Sequence, residues 1–132
     1  MSVLEIRPRP ERARGYGTRS ARVWWWTVGT GIALLVLVTV HMVAHHFVVD
    51  EAGGLRTYDQ VLDYVGNPLI LAIEALLLLT VTIHAMLGVR SVLLDFDWGP
   101  RARRLVDAGL WLLGVLTVLY GYVLLAVLAW RA

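Results

Sequence analysis

Residues 68–96 read PLILAIEALLLLTVTIHAMLGVRSVLLDF, an apolar run that opens on a proline and contains few ionisable side chains. At about 1.5 Å per residue, a helix through most of this run measures about 40 Å, more than the roughly 30 Å hydrocarbon core of a bilayer. Pro68 suits the first helical turn, because the N–H that proline lacks has no intrahelical partner there. The run therefore predicts a transmembrane helix over about residues 67–94.

The composition of the whole chain indicates the same class of protein. Hydrophobic residues make up 58% of the 132 residues and charged residues 17%, a balance outside the usual range of soluble domains. Two more apolar runs, over about residues 23–49 and 105–130, are also long enough to cross a bilayer. The sequence thus predicts an all-α integral membrane protein with three transmembrane helices.

The segments outside these runs are polar. Residues 1–22 are rich in arginine and broken by prolines and glycines, which argues against a long regular helix, so they are expected to form a cytoplasmic tail. Residues 23–132 then form one three-helix domain, with polar connections over about 50–66 and 95–104. Trp24, Trp25 and Trp26 lie at the start of the first span, where an interfacial aromatic belt is expected.

The distribution of arginine predicts the orientation in the membrane. All 12 basic residues are arginine; six lie in the tail and three in the second connection, against one in the first connection and one at the C-terminus. The positive-inside rule places the tail and the second connection in the cytoplasm, hence the N-terminus inside and the C-terminus outside. These arginines lie next to the membrane spans and set the orientation of the chain in the membrane, so no nucleic-acid partner is expected. The absence of cysteine excludes thiolate metal sites and iron–sulfur ligation within this chain.

Ionisable residues inside the spans are the candidate functional residues, because they are costly there. They are His41, His45 and His46 in the first span, Glu74, His84 and Arg90 in the second with Asp95 at its end, and Asp107 in the third. By helical rise, His41 and His84 differ in depth by roughly 10 Å, so they are not expected to ligate the same iron. His41 and His45, four residues apart, project from one helix face and cannot sandwich an iron between them.

Imidazole is a natural ligand of a buried haem iron, and bis-histidine ligation suits electron transfer. The third span contains no histidine, so any haem bound here needs its second ligand from another chain. His45 could serve in place of His41 or bond a haem propionate. Arg90 could pair with a propionate, polarise a quinone carbonyl, or extend to the membrane interface. Glu74 is read as a hydrogen-bonded interface residue or as part of a proton path.

These residues resemble those of a known family, the D-type membrane-anchor subunit of succinate dehydrogenase (succinate:quinone oxidoreductase, complex II). In that family a histidine in the second transmembrane helix is followed by small residues, by Gly-x-Arg, and by an Asp–Tyr pair after the helix. The matching positions here are His84, Gly88, Arg90, Asp95 and Phe96, with Thr30, Gly31 and His41 matching in the first span.

The resemblance implies roles for single residues. It makes His84 an axial ligand of the haem b nearer the cytoplasm, and His41 a ligand of a second, outer haem b found in family members with two haems. In both cases the partner ligand would come from a companion membrane-anchor subunit. Asp95 falls beside the quinone site. Phe96 stands where the family usually has a tyrosine that donates a hydrogen bond to the quinone, so Trp98, Arg90 or a group of a partner chain is expected to replace it.

The expected function is that of a non-catalytic subunit of the cell inner (cytoplasmic) membrane. It would anchor a flavoprotein subunit and an iron–sulfur subunit, hold haem b, and help to form the quinone site. The chain has no dinucleotide-binding motif that would let it oxidise succinate itself. Two alternatives stay open: a haem-free scaffold with helix-interface histidines, and a small transporter subunit that relays protons through Glu74 and His84.

Overall fold

The computed structural model describes residues 16–47, 57–96 and 98–132 of the chain, which form four α-helices and no strand. The helices are α1 (Tyr16–Phe47), α2 (Tyr58–Gly66), α3 (Pro68–Leu94) and α4 (Pro100–Arg131). Three stretches are long and apolar enough to cross a membrane, namely Ala21–His45, Pro68–Leu94 and Pro100–Arg131. The predicted fold class is therefore confirmed. The topology of the two termini stays a prediction, and residues 1–15 of the expected tail lie outside the described residues.

The start of α3 agrees with the sequence, and the two other long helices start earlier than the predicted spans. Asn67 caps α3, its side-chain oxygen accepting a hydrogen bond from the Leu69 N–H at 3.0 Å, and Pro68 occupies the first turn. α1 already begins at Tyr16, inside the expected tail. α4 begins at Pro100 rather than at 105, because proline presets the helical φ at the first position after Gly99. Much of the second connection is thus helical.

The first connection also contains a helix that the sequence analysis missed. Residues 50–66 were expected to be a polar connection, yet α2 occupies Tyr58–Gly66. Thr57 forms a capping box with Gln60: the Gln60 N–H donates to the Thr57 hydroxyl at 3.4 Å, and the Thr57 N–H to the Gln60 side chain at 3.0 Å. This Thr-x-x-Gln spacing is a sequence signal for a helix start.

The helix α2 is amphipathic and lies across one end of the bundle. Tyr64 and Val65 are buried, whereas Asp59 and Asp63 are exposed. The buried side chains form a small cluster with Ile70 at the start of α3. Residues packed around this cluster come from the ends of the long helices and from α2: Ala44, Val61, Leu71, Leu128 and Ala129.

The long helices form an open row with α3 in the middle. α3 packs against α1 on one side and α4 on the other, and the backbones of α1 and α4 do not approach each other within the described ranges. Glycines permit close approach at both contacts. Gly31 of α1 faces His84, and Gly121 of α4 faces Leu78. Much of the apolar surface of the row is exposed, including the three tryptophans near the start of α1, so it is available to lipid or to neighbouring subunits.

Candidate functional site

His84, near the middle of α3, is held by a hydrogen bond between its Nδ1 and a hydroxyl of α1. Its Nδ1 lies 3.1 Å from the Oγ1 of Thr30 on α1. The Thr30 hydroxyl donates its single proton to a backbone carbonyl of its own helix, with Trp26 O at 2.7 Å and Thr27 O at 3.1 Å. With that proton on a carbonyl, the hydroxyl oxygen accepts from His84, and in this arrangement the neutral imidazole carries its proton on Nδ1. Nε2 is left with a lone pair, as a metal ligand requires.

Small residues provide space around the His84 ring. On the α1 side, a Cβ atom at Gly31 would lie 3.3 Å from His84 Cε1, so a glycine lets the ring pack closely against the helix. On the same helix, one turn after His84, a Cβ at Gly88 would meet nothing within 4 Å. This open side belongs to a groove of about 430 Å³. Its lining residues are His84, Ala85, Gly88, Val89, Val92 and Leu93.

A second polar cluster lies where the C-terminal part of α1 meets the first turns of α3. Nδ1 of His41 lies 2.6 Å from Oε1 of Glu74. The hydroxyl of Tyr64, from α2, donates to the same carboxylate oxygen at 2.9 Å. The ring of His45 packs beside both neighbours, with ring centroids 4.3 Å from His41 and 4.5 Å from Tyr64. Glu74, at first sight a charge in an apolar helix, thus joins three helices.

The two histidine regions lie at different levels of the bundle. In the antiparallel pair α1–α3, His84 lies opposite Thr30 and Glu74 lies opposite His41. Residues 30 and 41 are three helical turns apart on α1, so the two levels are separated by about 16 Å. This separation exceeds the roughly 10 Å expected from the sequence, and a single iron cannot contact both histidines.

Arg90 forms an ion pair with Asp107 where α3 meets the start of α4. Arg90 Nε donates to Asp107 Oδ1 at 2.7 Å and Nη2 donates to Oδ2 at 3.4 Å, a bidentate arrangement. The side chains are 40% and 46% exposed, so the pair is accessible at its edge. It closes one end of an apolar groove of about 680 Å³ between α3 and α4. Part of the donor capacity of Arg90 is therefore used within the chain.

The residues expected at the quinone site lie beyond the end of α3. Asp95 caps the helix, its N–H donating to Val92 O at 3.3 Å, and its side chain is exposed. The indole N–H of Trp98 donates to the carbonyl of Leu93, and its ring lies 6.1 Å from that of Phe96. The Trp98 donor is thus engaged with the helix end, whereas the Asp95 carboxylate has no bonded partner in the described part of the chain.

The structure brings together some of the residues singled out in the sequence and separates others. His41 and His45 share one cluster, whereas His84 lies apart from them. The sequence alone does not pair Glu74 with His41, and it gives no sign that Tyr64 belongs to the cluster. The register of α1 against α3 could have found the first pair: once Thr30 faces His84, antiparallel packing sets Glu74 opposite His41. Tyr64 depends on α2, and the sequence signal for that helix is the capping box of Thr57 and Gln60.

Fold and sites together define a multi-pass helical membrane protein with histidines at two levels. The family model described as succinate dehydrogenase/fumarate reductase transmembrane subunit matches residues 5–128. The chain belongs to this family.

Two curated proteins are similar to the chain over most of its length. The succinate dehydrogenase hydrophobic membrane anchor subunit of Archaeoglobus fulgidus is 38% identical over 102 residues, which cover 77% of this chain and 85% of the relative. The protein of the same name from Thermoplasma acidophilum is 26% identical over 100 residues, covering 76% and 80%. No solved structure gives a significant match.

Proposed function

We propose that the chain is a membrane-anchor subunit of a succinate:quinone oxidoreductase that supplies one axial ligand, His84, to a haem b. The observation that carries the proposal is the bond between His84 Nδ1 and Thr30 Oγ1, because it leaves Nε2 as the ligand atom. The residues present fit half of a haem site. The ligand faces a groove lined by small and apolar side chains, and Gly88 leaves room for a flat macrocycle.

The second axial ligand comes from another chain in this proposal. Within the described residues, His41 lies about 16 Å away along the bundle axis, and His45 lies one turn of α1 farther. Since all the described residues that line the groove beside His84 belong to α3, the groove can face a companion anchor subunit. Such a haem would act as a one-electron carrier within the membrane. The contribution of this chain is to supply His84 and to hold its imidazole through the contact with Thr30.

The anchor function also includes a quinone site at the end of α3, next to an iron–sulfur subunit that is itself bound to a flavoprotein subunit. Asp95 is the residue best supported for it, because its carboxylate is exposed at the helix end, and quinone reduction consumes protons as well as electrons. Trp98 and Arg90 donate to Leu93 and Asp107, so in this proposal they shape the site instead of donating to the quinone. The complex would lie in the cytoplasmic membrane.

A reduced-minus-oxidised visible spectrum of the purified complex tests the haem assignment. We expect His84→Ala to remove a b-type signal, while His45→Ala, which changes a histidine of the other cluster, keeps that signal. Co-purification of the dehydrogenase subunits shows that each variant still assembles. A b-type signal unchanged by His84→Ala would refute the ligand assignment, and a wild-type complex without haem would favour the scaffold alternative.

The quinone assignment needs its own experiment. Asp95→Asn keeps the shape of the side chain and removes its proton-accepting charge. We expect quinone reduction to fall at least tenfold, while electron transfer from succinate to a soluble artificial acceptor stays the same. Equal rates of quinone reduction in the variant and the wild type would exclude Asp95 from the site.

A further inference from the structure

The second polar cluster, formed by His41, His45, Glu74 and Tyr64, plays no part in the proposed haem site. We propose that His41, His45 and Glu74 bind one divalent transition-metal ion of the Zn²⁺ class, which links α1 to α3. The three residues can each direct one ligand atom to a common point, these atoms lying within 4.8 Å of one another. The site is separate from His84 and does not depend on the haem assigned there.

The backbone positions suit a chelating site. His41 and His45 are four residues apart on α1, a spacing at which two imidazoles on one helix face can hold the same ion. Glu74 provides the third ligand from the neighbouring antiparallel helix. In a tetrahedral zinc site with bonds of about 2.0–2.1 Å, ligand atoms are about 3.3 Å apart. His41 Nδ1 and Glu74 Oε1 are 2.6 Å apart, and they would separate slightly when the ion replaces the proton between them.

The chemistry of the ligands selects the kind of ion. Two imidazole nitrogens and one carboxylate oxygen suit Zn²⁺ and its transition-metal neighbours, whereas Mg²⁺ and Ca²⁺ prefer oxygen ligands alone. The side chains of His41 and Glu74 are only 26% and 16% exposed, so the carboxylate charge is partly shielded from solvent and favours a cation beside it. Three protein ligands leave a fourth position for water.

A second layer of contacts holds the carboxylate in place. The Tyr64 hydroxyl donates to Glu74 Oε1 at 2.9 Å, and Tyr64 itself is only 6% exposed, packed in the cluster formed by α2 and the start of α3. Its ring also packs on His45. Outer contacts of this kind orient metal ligands and limit their freedom in the absence of the ion. By contrast, the hydroxyl that bonds His84 is neutral, which makes the two histidine regions chemically different.

The test is zinc binding to the purified native complex after chelator treatment, measured by equilibrium dialysis with elemental analysis. We expect the wild type to bind one ion that Glu74→Gln and His45→Ala each weaken at least 100-fold. Tyr64→Phe, which keeps the packing and removes the hydroxyl, should weaken binding by about 10- to 100-fold. Asp63→Asn is the matched control, because Asp63 is an exposed carboxylate of α2 next to Tyr64, and it should bind as the wild type does. Binding should weaken at lower pH, since protons compete for the ligands.

X-ray absorption at the zinc edge of the wild-type complex gives a readout that needs no variant. The expected first shell has two imidazole nitrogens and oxygens at about 2.0–2.1 Å. Equal binding by Glu74→Gln and Asp63→Asn, or a first shell without imidazole, would overturn the proposal. Loss of a b-type haem signal in His41→Ala would also overturn it, because an outer haem would then use His41. The spectrum of the His84 haem is recorded separately, so failure of either assignment leaves the other measurable.

Discussion

The hydroxyl of Thr30 offers a sharp test of how this chain prepares His84 as a ligand. Thr30→Val replaces the hydroxyl with a methyl group of similar size, so the packing of this buried residue is kept while the acceptor for His84 Nδ1–H is lost. The haem-bound form would then hold an N–H group in apolar surroundings without a partner. Leaving a buried donor unsatisfied costs about 1–3 kcal/mol. At a factor of ten for each 1.4 kcal/mol, haem affinity should fall by about 5- to 150-fold.

Thr39→Val is the matched control for this substitution. Thr39 lies on the same helix, and within the described part of the chain its hydroxyl bonds only to the carbonyl four residues back, Leu35 O, at 2.8 Å. Both substitutions remove one such bond, and only Thr30→Val removes the contact with His84. The assay is haem retention of the purified complex during dilution into a haem-scavenging protein, followed by its visible absorption. Equal haem loss in the two variants would refute the argument that Thr30 fixes the ligand tautomer.

The other predictions concern the stability of the helix row, read from thermal unfolding of the purified complex or, for the last, from hydrogen exchange. Gly121→Ile should destabilise the α3–α4 contact by about 1–3 kcal/mol through overpacking. Gly109→Ile is the control and should have little effect, because a Cβ atom at Gly109 would meet nothing within 4 Å. Equal effects of the two substitutions would contradict the packing argument. A double-mutant cycle of Arg90→Gln and Asp107→Asn should give a coupling below about 1 kcal/mol because both side chains are part-exposed, and a larger value would mean that partner chains bury the pair. Thr57→Ala should cost about 1 kcal/mol of α2 stability, seen as faster amide exchange in α2 alone. Thr57→Ser keeps the capping hydroxyl and should exchange at the wild-type rate. Unchanged exchange in Thr57→Ala would show that packing alone holds the helix.

The sequence predicts the three long helices because membrane crossing depends on length and hydropathy, which are local properties. Pro68 even predicts the start of α3 correctly. The helix α2 is short and lies in a segment with several acidic residues, so the segment as a whole is polar. Hydropathy therefore does not indicate a helix there, although the segment contains a capping box and an apolar face. The early start of α4 has a similar cause: hydropathy locates the membrane-embedded part of a helix, and arginines after Pro100 do not end the helix.

The candidate site is predictable in its residues and less so in its pairings. An ionisable side chain in an apolar helix is conspicuous by itself, which is why His41, Glu74 and His84 stand out in the sequence. Their partners depend on the register of one helix against another, which no single segment encodes. Thr30 is an ordinary polar residue by composition, and only the α1–α3 packing reveals its bond to His84.

The position of α2 has a consequence for biosynthesis. The α1–α3 pair can form as soon as its second member has entered the membrane, well before α4 is synthesised. α2 precedes α3 in the chain, yet its cluster packs on Leu128 and Ala129 at the far end of α4. It can therefore dock fully only after those residues have been translated. The bond from Tyr64 to Glu74 joins α2 to α3 alone and does not need α4, so a chain that ends before Leu128 would keep this bond and lose the apolar packing of α2 on α4.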